Sequence, residues 1–126
     1  MKVLRNAAIL FLLVMCSVAM FGCGKKADES KPMDEVRAEA EKMDAGQLRA
    51  AAMEYKDAIV AKKGDIEKIT KKLKEIPVAE MMGTEAKGLK SDIERLQNSV
   101  SALKVRFNVY YNKLKEAKGD LSGLEI

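Results

Sequence analysis

Two thiols, Cys16 and Cys23, are the reactive side chains with the clearest chemistry in this 126-residue chain, and both lie within its first 23 residues. The chain has no His and no Trp. General acid–base work at neutral pH therefore lacks its usual group, and a Cys/His metal site has no His to draw on. Ser and carboxylate side chains are plentiful, but they follow no nucleophile, metal-ligand or phosphate-loop spacing. The expectation is a protein that is not an enzyme, with no catalytic residue, no metal and no cofactor. Of the 23 Lys and Arg, Lys2 and Arg5 sit in the extreme N-terminal segment, so the remainder exceeds the 19 Asp and Glu by only two. No basic stripe interleaved with aromatics is present, and a nucleic-acid partner is not expected.

Cys23 is placed by what precedes it. Residues 1–5 carry the two positive charges, and residues 7–21 are uncharged and mostly apolar. Fifteen residues are short for a membrane span, which needs about 20. Met20-Phe21-Gly22-Cys23 follows at once. This leader resembles the lipobox-type signal peptide of bacterial lipoproteins, in which the Cys after a small residue is lipidated and becomes the new N-terminus. The resemblance implies a signal peptide over residues 1–22, lipidation at Cys23 and loss of Cys16 with the leader. It also implies anchorage to the membrane of the cell envelope, on the periplasmic face of the outer membrane if the organism has two. Ser17-Val18-Ala19 also resembles an ordinary signal-peptidase site, and an uncleaved anchor is a further alternative. Residues 24–32 are polar and aperiodic, and with Cys23 they read as a flexible tether.

From Met33 onward the spacing is helical. Leu48, Ala52, Tyr55, Ile59, Lys62, Ile66, Ile69, Leu73 and Ile76 step by four and three alternately. The stepping resumes after Pro77 with Met82, Ala86, Leu89, Ile93, Leu96, Val100, Leu103, Phe107, Tyr110 and Leu114, and it extends to Ala117, Leu121 and Leu124. A sustained 3.5-residue repeat specifies helices packed along a seam. Pro77 and Gly83 divide two segments of similar length, as an antiparallel hairpin requires. The expected fold is all-α: a coiled-coil-like hairpin with a short N-terminal third helix in a domain over residues 33–126. The helices should cover about 33–43, 45–76 and 84–118. Asp44 and Gln47 have capping-box spacing, Thr84 suits an N-cap and Gly119 a C-terminal cap. Gly64 falls in phase, so the second helix should pass through it.

Gly46, Leu48, Ala51, Tyr55, Ala58 and Ile59 also resemble the second helix of a single tetratricopeptide half-repeat, which implies a tight turn at residues 44–46. A reversal near residues 77–83 pairs Tyr55 with Phe107, Ile59 with Leu103 and Ile69 with Ile93. It also brings Lys62, the one charge on the seam, near Ser99 and Ser101. The short helix should lie along residues 51–59. Ala102, Val105 and Val109 extend apolar surface beyond the seam, either to receive that helix or to self-associate. Tyr55, Phe107 and Tyr110 read as core, and the lysines between 62 and 74 as a solvated face. These features suggest a membrane-tethered helical protein with an envelope structural or protein-interaction role. The alternative is a periplasmic helper that clasps a client protein or acidic envelope polymer.

Overall fold

A computed structural model describes residues 27–126; the leader and Cys23 lie outside them. The fold is all-α, a helical hairpin with a short third helix. Helix α1 spans Met33–Lys42, α2 Ala45–Glu75 and α3 Thr84–Glu116, with a 3-10 turn at Val78–Glu80 between the long helices. At 1.5 Å per residue α2 and α3 are about 47 and 50 Å long. They pack against each other along the seam.

Local chemistry sets the boundaries. The Asp44 carboxylate accepts the Gln47 N–H at 2.8 Å, and the Gln47 side chain accepts the Asp44 N–H at 3.0 Å, closing the capping box. Helix α2 runs unbroken through Gly64. At the start of α3, Gly83 and not Thr84 is the N-cap, with extended backbone and no side-chain cap. Its carbonyl accepts the Lys87 N–H at 3.1 Å, so Thr84 is already helical.

The end of α3 also departs from the expected form. The left-handed residue is Lys118, at φ 55°, not Gly119. The Gly119 N–H returns to the Leu114 carbonyl at 2.9 Å and the Lys118 N–H to that of Lys115 at 3.1 Å. This is a Schellman closure. Gly119 is required by proximity, because a Cβ there would lie 2.1 Å from Leu114 Cδ1. The chain then folds back along α2, so Leu121 and Leu124 reach the core from a returning tail and not from a continuing helix.

The core occupies the open end of the hairpin. Val36 and Ala40 of α1, Leu48, Ala52, Tyr55 and Ile59 of α2, Val100, Leu103, Phe107, Tyr110 and Leu114 of α3, and Leu124 are all buried together. Toward the loop the seam thins. Ile66, Ile69, Leu73 and Ile76 of α2 and Leu89, Ile93 and Leu96 of α3 lie in an arm of two helices only, and all seven are half-buried. Two helices can cover one side of each other; a third layer is present only near the open end.

Helix α1 packs chiefly on α3, not along residues 51–59 of α2 as the sequence suggested. Arg106 holds its N-terminal approach and Glu41 pairs with Lys113 near its end, so α1 runs parallel to α3. The apolar flank of α3 receives it: Ala102 and Val109 are half-covered, while Val105 stays exposed.

Candidate functional site

The segment leading from Cys23 into the body enters the described residues at Ala27, which packs against the core. Residues 27–32 form a turn docked in the groove between α2 and α3, where a flexible tether was expected. The Asp28 carboxylate accepts both the Ser30 N–H at 2.9 Å and the Ser30 hydroxyl at 2.6 Å. These bonds, with Arg106 and Lys31 nearby, hold the Asp28 carboxyl below its ordinary range. The Asp28 carbonyl accepts the Tyr55 hydroxyl at 3.2 Å.

Glu29 joins the two long helices. Its Oε1 accepts the Ser99 hydroxyl at 3.0 Å, and its Oε2 lies 3.5 Å from Lys62 Nζ. Oε2 is shielded from solvent and accepts no hydrogen bond. The charge on the seam therefore meets Ser99 through an interposed carboxylate and not directly. The Lys31 carbonyl accepts two bonds from Arg106, from Nε at 3.0 Å and Nη2 at 2.6 Å. Three backbone or side-chain acceptors in four residues thus take donors from both helices, which offsets the ordering entropy of a polar segment.

The C-terminal tail uses the same device. Asp120 accepts the Ser122 N–H at 3.0 Å and hydroxyl at 2.7 Å, which lowers its carboxyl likewise. Arg49 donates to the Asp120 carbonyl at 2.7 Å and the Ser122 carbonyl at 2.8 Å, and Lys56 donates to the Gly123 carbonyl. Gly123 has φ 76°, a conformation that favours glycine. The sequence signal was present as Asp28-Glu29-Ser30 and Asp120-Leu121-Ser122, two Asp-x-Ser triplets of Asx-turn type. Nothing local in the sequence marks Arg49, Lys56 and Arg106, because their partners lie 67 to 75 residues away.

The aromatic residues behave as core. Tyr55 and Tyr110 stack at 5.5 Å between ring centroids, and Phe107 and Tyr111 stack at 5.6 Å. The first pair is displaced by three residues, about one turn, from the expected facing of Tyr55 with Phe107. Burial pushes the hydroxyls of both Tyr55 and Tyr110 above their ordinary range, and the adjacent Tyr55 and Glu39 add to the effect at Tyr110.

Beside this pair lies a cleft of about 430 Å³, bordered by Asp28, Lys31, Glu35, Glu39 and Glu54. Lys31 pairs with Glu39 across it. Two serine–carboxylate pairings lie at the docked turn, Ser30 with Asp28 and Ser99 with Glu29, and the Glu29 carboxylate also bridges Lys62. Among the described residues no group of three or more His, Cys, Asp or Glu side chains is placed to hold a metal ion. No helix among them is long and apolar enough to cross a membrane.

The arm presents different chemistry. Its half-buried aliphatic stripe ends in a loop where Val78 and Met82 are 90% and 77% exposed. Lys68, Lys71, Lys72 and Lys74 stand exposed along α2, with Lys87 and Lys90 on α3. Compared with protein-family models, curated proteins and solved structures, the chain matches none.

Proposed function

We propose that the protein is a non-catalytic, lipid-anchored helical module of the bacterial cell envelope, tethered through Cys23 and acting by binding. The observation that carries the reading is the contrast between the two halves of the hairpin. The open end is closed by a third helix, a docked entry turn and a returning tail. The arm keeps a stripe of half-buried Ile and Leu side chains with exposed lysines nearby. A stripe of this kind is stable in water but gains further burial by packing against another apolar surface.

The leader supports the address: a basic start, a short apolar stretch and Gly22-Cys23. The half-buried arm favours a reversible binding role over a purely structural one. Exposed lysines and acidic residues alternate around it, so the apolar stripe and not net charge carries the binding reading; the partner is a client protein or envelope polymer. Pull-down from crosslinked cells tests the reading, comparing the wild-type protein with Cys23→Ser and with an arm variant, Leu73→Glu/Ile93→Glu. The expected result is a partner set lost in both variants, with the arm variant still on the membrane. Identical captures from all three proteins would contradict it.

A further inference from the structure

We infer that the body lies side-on against the lipid leaflet that anchors it, with the docked entry turn toward the headgroups; this rests on the lipid-anchored reading above. Ala27 packs against the core, and Glu29 is held by Lys62 and Ser99. Three residues separate Cys23 from Ala27. Four Cα steps cannot span more than about 13–14 Å. The attachment point is near the middle of the rod. Lys62 lies 13 residues from the loop end of α2 and 17 from its start, or about 20 and 25 Å along the axis. An upright body, on either end, would hold Glu29 about that far above the surface, and Ala27 lies only two residues, at most about 7 Å, from it. The leash is too short for either upright pose, so the long axis is tilted toward the membrane plane.

The face turned to the lipid is the one that carries the docked turn. Arg49 and Lys56, which hold the C-terminal tail, lie on the opposite flank of α2 from Glu54, which borders the entry segment. The tail-bearing side of the hairpin is therefore turned away from the leaflet. On the arm, Ile69, Leu73 and Ile93 are half-buried and the neighbouring lysines are exposed. The arm's exposed lysines can keep their ammonium groups with the leaflet phosphates, and the half-buried stripe remains for the partner proposed above.

The chain has no Trp, so a single Trp reports one position. Val78→Trp marks the exposed loop and Lys42→Trp the exposed open end. The protein isolated from membranes is reconstituted in vesicles of phosphatidylethanolamine and phosphatidylglycerol with a trace of dansyl-labelled lipid. Energy transfer from the two Trp positions should agree within about twofold. Inserting a 20-residue Gly/Ser segment between Gly24 and Lys25, which reaches about 22–27 Å, should lower both at least about twofold. Strong transfer from one end with little from the other, or no response to the insertion, would overturn the side-on arrangement. Flotation of the wild-type protein and Cys23→Ser with the same vesicles separates the two claims. Flotation that does not depend on Cys23 sinks the lipid anchor and the orientation together. Cys23-dependent flotation with unequal transfer sinks the orientation alone.

Discussion

Lys62 on α2 and Ser99 on α3 meet on the two oxygens of one carboxylate, that of Glu29, at 3.5 and 3.0 Å. The contact makes the entry segment part of the helix–helix joint. Glu29→Ala should lower stability by about 0.5–1.5 kcal/mol, since both charged side chains are partly exposed and screened. A double-mutant cycle with Lys62→Met in chemical denaturation should return a coupling of a few tenths of a kcal/mol. Strict additivity would show that the bridge does not form in solution.

The two halves of the hairpin should respond unequally to truncation. Leu103 is fully buried, and Leu103→Ala should cost about 2–5 kcal/mol. Leu73, half-buried in the arm, should cost about 1 kcal/mol as Leu73→Ala. Lys104→Ala should stay within about 0.5 kcal/mol. Thermal and denaturant unfolding of the three variants checks the gradient, and equal losses at residues 73 and 103 would contradict a thin arm.

Much of this was legible in the residues. The four–three stepping from Leu48 to Leu114 sets both long helices, and Asp44 with Gln47 sets the start of α2. The parts that escaped depend on distant partners. Polar composition at residues 28–31 reads as a tether because Tyr55, Lys62, Ser99 and Arg106 are remote in sequence. Leu121 and Leu124 kept the seam spacing, yet they arrive by a chain reversal at Lys118, a residue that gives no local sign of a left-handed backbone. Cys23 carried the functional reading from the sequence, and the arm's half-covered stripe became visible only in three dimensions.

That reversal makes a paired prediction. Lys118→Gly should stabilise by about 0.5–1 kcal/mol, because a left-handed φ strains a side chain. Gly119→Ala should destabilise by about 1–3 kcal/mol, since the added methyl meets buried Leu114. Melting temperatures moving in opposite directions would verify the closure; the same direction for both would not fit it.

Stability should fall at both extremes of pH. The Asp28 and Asp120 carboxyls are lowered in the fold, so their contribution is present above the unfolded value of 3.8 and is lost as pH falls through their folded values. Tyr55 and Tyr110 are raised, so their contribution is complete below the unfolded value of 10.0 and declines as pH rises above it. Denaturation midpoints measured from pH 2 to 12 should be level between these limits, and Tyr110→Phe should flatten the alkaline fall. An undiminished alkaline slope in that variant would place its origin elsewhere.

The central claim is a helical body fixed to the membrane through Cys23. Intact-mass and N-terminal peptide analysis of protein purified from the membrane fraction tests it directly. The mature chain should begin at Cys23, with a mass increase of diacylglycerol type confined to the N-terminal peptide. An unmodified chain beginning at Met20, or an uncleaved chain beginning at Met1, would contradict it.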